Sequence, residues 1–274
     1  MNYRHLYHAG NFADVLKHSV LIVLLEALQR KETPFCFLDT HAGISLYELQ
    51  SIEAQKTREY ENGFLKLFSA EINNIPTEIQ KYISIVKKYN PRNNLDFYPG
   101  SPLIADALLR SNDKMILSEL HKQDFQTLKT HFSKKKSIAV HYMDAYLCMK
   151  AFLPPKEKRG LVLIDPAFEV LNECEQIITT LQRALKHWRS GHFMIWYPIK
   201  DEKLIQQFYC DINALAIENF AIHFSLTNMV GSEKLSKCGL LLLNPPWKVK
   251  ENLENKVLPY LAEKLDAQWE VITV

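Results

Sequence analysis

The residues best suited to chemistry lie near the middle of the chain, in Leu161-Val162-Leu163-Ile164-Asp165-Pro166-Ala167-Phe168-Glu169. Four apolar residues preceded by Gly160 predict a strand buried on both faces, as in a parallel sheet. Proline cannot donate to a sheet ladder, so Asp-Pro ends that strand. The Asp165 carboxylate is then left at the strand's carboxyl end, where open α/β sheets bind their ligands. A carboxylate, the backbone carbonyl of Pro166 and the ring of Phe168 suit one task well: holding an exocyclic amine in front of an electrophile. The alternative is a merely structural Asp-Pro turn.

Two neighbouring stretches repeat the pattern. Lys114 to Glu119 reads as a strand ending in an acid, and in nucleoside-binding doubly wound folds such an acid takes the two ribose hydroxyls. Ser137 to Asp144 reads the same way, with its acid placed to meet an adenine amine. One glutamate at a strand end is commonly just solvated. Three successive strands ending in acids at one edge are far more specific. Phe35 to Leu38 predicts the first strand, followed by the turn Asp39-Thr40-His41-Ala42-Gly43. After Gly43 come Ile44 and Ser45, so the G-x-G-x-x-G fingerprint is missing, which disfavours a nicotinamide dehydrogenase.

The amino terminus is dense in Tyr3, Arg4, His5, Tyr7, His8, Asp14, Lys17 and His18. His5-x-x-His8 invites a zinc reading, but no Cys pair or H-E-x-x-H completes a ligand set, so no metal is expected. A polar arm that stacks on RNA bases suits the composition better. Gly10-Asn11 is a turn signal, and Asn11 is a cap for a helix from about Phe12 to Arg30.

These residues need a scaffold. Residues 46–99 read as a helical insertion within one domain spanning 1–274, broken at Asn73-Asn74-Ile75-Pro76 and Tyr89-Asn90-Pro91. Lys87, Lys88 and Arg92 there either face RNA or form a solvated face. Ser101 is expected to cap the next helix, with Pro102 at its first position. A helix from about Asn172 to Trp188 and strands at His192–Pro198, Phe220–Leu226 and Gly239–Leu243 make seven strands in all. The loop 227–238, with Gly231, Lys234 and Lys237, reads as mobile and substrate-facing. A helix, Leu253 to Leu265, and a short apolar tail close the chain.

Composition bounds the reading. The 274 residues are 47% hydrophobic and 23% charged, with a net charge of +2, so any nucleic-acid contact must come from a local patch. The cysteines, at 36, 148, 174, 210 and 238, are scattered without a C-x-x-C, which points to a reducing cytoplasm. No membrane span or cleaved leader is read, and no obligate protein partner is evident.

Seven strands with acids at these positions resemble the Rossmann-like class I S-adenosylmethionine-dependent methyltransferase fold. Asp165-Pro166-Ala167-Phe168 resembles the [N/D]-P-P-[Y/F/W] signature of adenine-amino methyltransferases. More specifically, the chain resembles the ribosomal RNA large subunit methyltransferase J family, the 23S rRNA (adenine-2030-N6) methyltransferases. The resemblance runs end to end. It is carried by Tyr3-Arg4-His5, His8-Ala9-Gly10-Asn11, Ala13 to His18, Leu38 to Gly43, Tyr98 to Ala105, Glu119-Leu120-His121, Ile164-Asp165-Pro166, Trp196-Tyr197-Pro198 and Asn244 to Lys248.

The resemblance implies S-adenosyl-L-methionine as cofactor and 23S rRNA, as free or protein-poor RNA, as substrate. It puts cofactor contacts on His18, His41, Ser101, Glu119, Asp144-Ala145 and Asp165, with Lys17 lining the same pocket. Tyr3 and His5 approach the RNA. Asp165 and the Pro166 carbonyl orient the amine, and Phe168 stacks on the base. The chain departs from the family at Ser45 and Ala145, where the family has glycine, and at Ala167-Phe168, where it has Pro-Tyr. A DNA adenine methyltransferase and a non-catalytic RNA-binding relative remain as alternatives. A second match to the signature, Asn244-Pro245-Pro246-Trp247, follows a strand expected to run antiparallel. It reads as a strand exit, with Trp247 packed under the sheet.

Overall fold

In the computed structural model, which describes residues 4–69, 74–227 and 235–274, the apolar run after Pro34 forms strand β1 (Cys36–Asp39), buried at every position. Two short strands, β2 (Leu46–Glu48) and β3 (Phe97–Pro99), pair antiparallel as a separate ribbon. The main sheet continues with β4 (Lys114–Glu119), β5 (Ile138–Tyr142), β6 (Gly160–Ile164), β7 (His192–Pro198), β8 (Asn219–Leu226), β9 (Lys237–Leu243) and β10 (Ala267–Ile272). The spatial order is β10-β8-β9-β7-β6-β1-β4-β5. Strands β5, β4, β1, β6 and β7 run parallel, while β9 is antiparallel to both β7 and β8.

The main sheet therefore has eight strands where seven were expected. The added one is the tail itself, which pairs with β8 from Ala267 opposite Leu226 to Ile272 opposite Ala221. Ala267, Trp269 and Val271 alternate with Gln268 and Glu270, the period-two signal of an edge strand with one face packed. Reading the stretch only as apolar missed it.

The parallel strands are covered on both faces, which is why their sequences are continuous apolar runs. Leu161 and Leu163 of β6 face one core and Val162 and Ile164 the other. The first core lies under helix α1 (Phe12–Gln29), whose Asn11 cap accepts from the Asp14 N–H as expected. The segment 46–99 packs into this same core. It carries α2 (Ile52–Thr57), α3 (Phe64–Phe68) and α4 (Thr77–Lys88), and its two ends are joined by the β2–β3 ribbon. Helix α5 (Ser101–Leu108) follows. Its cap is Gly100 rather than Ser101, which is the first helical residue. Across β4 comes α6 (Lys122–Phe132), and the second core lies under α7 (Ala145–Phe152), α8 (Glu173–His187) and α9 (Glu202–Asn213). Tyr3, and Gly231 and Lys234 of the loop after β8, lie outside the described residues.

The Asn-Pro-Pro-Trp stretch behaves differently from its reading in one respect. It does leave β9 at the edge where β7 begins, with the Asn244 amide donating to the carbonyls of Arg189 (2.7 Å) and Gly191 (2.9 Å). Trp247, however, is 77% exposed rather than packed under the sheet. Arg30 holds its carbonyl at 3.1 Å, and the Lys248 ammonium lies 4.5 Å from the ring centroid. Lys248 takes a left-handed backbone (φ +65) ahead of the short helix Val249–Asn252, and it is Val249, not Trp247, that is buried. Trp247→Ala is therefore expected to change stability by no more than about 0.5 kcal/mol. A denaturant melt checks this, and a loss of several kcal/mol would show that the ring is packed after all.

Candidate active site

The register of the parallel strands carries the acids to one edge. Asp39, the last residue of β1, lies opposite Leu117 of β4 and Leu163 of β6. Glu119 and Asp165 stand two residues farther along those strands, and Asp144 stands two residues beyond Tyr142, which pairs with Glu119. Above them is a cavity of about 660 Å³, within the usual range for a small-molecule site. It is lined by His5, Lys17, His18, His41, Ser101, Glu119, Asp144, Ala145, Asp165, Pro166 and Phe168. Every described residue to which the resemblance gives a cofactor, catalytic or RNA role thus reaches one cavity, whereas Arg4, Tyr7, Lys87, Lys88 and Arg92 do not line it.

Each acid is held differently. Glu119 accepts from the backbone N–H of Gly43 at 2.8 Å and of His121 at 2.7 Å. Burial pushes its carboxyl above the ordinary value against the pull of those two donors. Gly43 needs its left-handed backbone (φ +61), and a Cβ there would collide with the Tyr47 hydroxyl. Asp144 caps α7, its Oδ1 accepting from the N–H groups of Tyr146 (2.9 Å) and Leu147 (3.0 Å). Asp39 is fully buried and takes the Ser101 hydroxyl at 2.7 Å. Ser101, expected as a helix cap, thus serves a carboxyl instead. Burial pushes Asp39 up to about 7, against the hydrogen bonds from Ser101 and His41. The backbone N–H of Asp165 donates to His41 Nδ1 at 3.3 Å, and burial lowers His41 to about 4.

Asp165 has a partner that its strand-end position could not reveal. Lys17 lies 2.5 Å from Asp165 Oδ2 and 2.9 Å from Asp14 Oδ1, with its side chain only 6% exposed. Asp14 also accepts from His5 Nε2 and from the Gly10 N–H, both at 2.9 Å. Burial alone would push Asp14 up, but the combined attraction of His5 and Lys17 holds it well below the carboxylate range. Burial would likewise lower Lys17, yet Asp14 and Asp165 together hold it well above its ordinary value. Asp14 and Lys17 therefore form a charged pair, and Asp165 Oδ1 makes no hydrogen bond among the described residues. The histidines of the amino-terminal pair go to different carboxylates, His5 to Asp14 and His8 to Glu59.

Beside Asp165 the chain turns sharply. Phe168 adopts a left-handed backbone (φ +51), a genuine outlier for an aromatic residue and a form of strain that concentrates at functional sites. Its ring meets Trp196 edge to face, with centroids 6.0 Å apart. The two rings and Pro166 make an apolar wall beside the Asp165 carboxylate.

Residues 32–272 match the family described as ribosomal RNA large subunit methyltransferase D, RlmJ. The chain belongs to this methyltransferase family. It is 38% identical over 267 residues to ribosomal RNA large subunit methyltransferase J of Escherichia coli K12, covering 97% of this chain and 94% of that protein. The protein of the same name from Haemophilus influenzae is 37% identical over the same shares. The crystal structure of protein LPL1258 from Legionella pneumophila superimposes with a TM-score of 0.90 at 32% identity, covering 97% of this chain and 98% of that one.

Within this family's fold the departures can be located. Ser45, where the resemblance expects glycine, keeps the left-handed backbone (φ +73) and is fully buried, its hydroxyl without a partner among the described residues. The turn is thus preserved at a local cost. Ala145 opens α7 with its methyl group buried in the cavity wall.

Proposed function

We propose that this protein transfers a methyl group from S-adenosyl-L-methionine to the N6 amine of an adenine in 23S ribosomal RNA, acting on free RNA in the cytoplasm without an obligate protein partner. The observation that carries the proposal is the convergence of Glu119, Asp144 and Asp165 on one cavity beside Phe168, in a chain of this methyltransferase family. Among the described residues no helix is long and apolar enough to cross a membrane. The residues suit the cofactor: Glu119 is fixed by two backbone donors and retains lone pairs for ribose hydroxyls, and Asp144 Oδ2 makes no bond within the described residues. In this reading residues 46–99 form a helical subdomain of a single domain, and Tyr3 and His5 approach the RNA.

The cofactor supplies an electrophilic methyl group on a sulfonium sulfur. Asp165 Oδ1 and the Pro166 carbonyl accept the two hydrogens of the amine, turning its nitrogen toward that methyl group. These acceptors gain strength as the nitrogen becomes sp³ and positive, so the effect is orientation plus electrostatic stabilisation. No base is needed before attack, because the surplus proton leaves after the new N–C bond forms. Lys17 holds the Asp165 carboxylate in place through Oδ2, which leaves Oδ1 for the amine. Ala167 in place of proline leaves the Pro166 carbonyl intact and removes only a restriction on residue 166. Phe168 keeps a stacking face for the base.

Glu119→Ala is expected to weaken cofactor binding while leaving turnover at saturating cofactor nearly unchanged. A ribose contact is similar in ground and transition states, so its loss appears in binding. Calorimetry showing unchanged affinity would remove Glu119 from the site.

Labelled methyl transfer to protein-free 23S rRNA and to DNA, followed by mapping of the modified base, tests the whole reading. Transfer to DNA alone favours a DNA methyltransferase. RNA binding without transfer points to a non-catalytic relative.

A further inference from the structure

His18 comes from α1, and its ring Nδ1 lies 2.7 Å from the Tyr98 hydroxyl and 3.2 Å from the Tyr82 hydroxyl. The two hydroxyls are also hydrogen-bonded to each other. Tyr82 belongs to α4 and Tyr98 to β3, so both arise in the inserted segment rather than in the parallel sheet. All three side chains are buried, and no other hydrogen bond reaches His18 among the described residues.

Three polar atoms in a closed triangle allow the protons to be counted. Each tyrosine brings one O–H. If Nδ1 also carried a proton, one hydroxyl would have no acceptor, because a protonated ring nitrogen has no lone pair to offer. Native interiors avoid such buried unsatisfied donors. With Nδ1 bare, one hydroxyl donates to the ring, the other donates to its neighbour, and every proton is used. The titratable groups facing this ring are Asp14, Lys17 and His5; burial outweighs the attraction of Asp14 and lowers His18 to about 3, so the ring is neutral.

Neither tyrosine lines the cavity, whereas His18 does. The tyrosines take the Nδ1 edge, so the Nε2 edge meets the cavity. We infer that Tyr98 and Tyr82 are positioning residues that fix His18 as its Nε2–H tautomer, and that this N–H donates to the carboxylate of the methyl donor's amino-acid tail. The second half rests on the function proposed above. There Asp144, Glu119 and Asp165 take the adenine, the ribose hydroxyls and the amine that receives the methyl group. This leaves the amino-acid end for α1 and the turn after β1. A bare Nε2 would present a lone pair to that carboxylate and repel it. The inserted segment thus tunes the cofactor site through hydrogen bonds rather than by contact.

Two probes separate this role from a merely structural one: S-adenosylhomocysteine, which has the carboxylate, and 5′-methylthioadenosine, which lacks it. Tyr98→Phe is expected to raise the Kd for S-adenosylhomocysteine about five- to tenfold, the size of one lost hydrogen bond. Its Kd for 5′-methylthioadenosine should stay within about twofold, and kcat at saturating cofactor should hold while KM rises. In the unaltered protein, nitrogen-15 spectra of the histidines, assigned with His18→Gln, should show the His18 proton on Nε2. A proton on Nδ1 overturns the tautomer, and equal losses for both probes, or none, overturn the carboxylate contact. If Tyr98→Phe does not fold, Tyr82→Phe takes its place, since it also breaks the triangle. Failure of the unaltered protein to bind either probe would count against the proposed function, while the nitrogen spectra would still decide the tautomer.

Discussion

Asp165→Ala is expected to reduce methyl transfer by a factor of a hundred or more, about 3 kcal/mol, with the fold retained. The magnitude follows from what the carboxylate does. A contact made equally in ground and transition states would appear mainly in KM. The amine nitrogen is flat and weakly basic before attack and tetrahedral and positive during it, so the Asp165 contact strengthens along the reaction and its loss falls on kcat. The fold survives because Lys17 keeps Asp14, its more deeply buried partner, at 2.9 Å. Turnover should be measured beside a thermal melt. A folded Asp165→Ala protein with near-normal turnover would move the chemistry elsewhere, and the Asn244-Pro245-Pro246 stretch is then the first place to look. That stretch sits at the edge where β7 begins, and no acid-ended parallel strand reaches it.

What the sequence made legible follows from which signals are local. Asp165, Glu119 and Asp144 could be placed because an apolar run ending in an acid puts that acid at the sheet edge whatever surrounds it. The same rule reaches Asp39 at the end of β1, which takes the Ser101 hydroxyl beneath the cavity rather than lining it. Lys17 was assigned to the pocket, but its double partnership with Asp14 and Asp165 was hidden. The pairs are 3 and 148 residues apart, and only packing α1 against the ends of β1 and β6 closes the second. Tyr82 and Tyr98 were hidden for the same reason, since each looks like an ordinary core aromatic until both hydroxyls meet His18. Trp247 failed in the other direction. Two prolines and an aromatic residue after an apolar strand suggest burial, yet Val249, two residues on, enters the core while the Trp247 ring stays in solvent. Residue type records hydrophobicity, not which residue of a loop meets the core.

Lys17→Met is expected to destabilise the protein by about 3–5 kcal/mol, because it leaves buried carboxylates without their cation. Methionine matches lysine in length and can fill the same channel, so lost packing contributes little. For a chain of this size the melting temperature should fall by roughly 5–10 °C. The pH dependence separates this cause from a packing defect. In the unaltered protein the Asp14 carboxyl is held below its unfolded value, so its stabilisation is present above about pH 4 and fades as the carboxyl protonates. Without Lys17 that contribution shrinks, so the gap between the two proteins should be widest near neutrality and narrow as the pH falls through the carboxylate range. Adding Asp14→Asn to Lys17→Met should recover part of the loss, since it removes a charge that no longer has its lysine. A deficit that is constant from pH 7 to pH 4, and that Asp14→Asn only deepens, would mean that Lys17 supports the fold through its hydrocarbon stem rather than its charge.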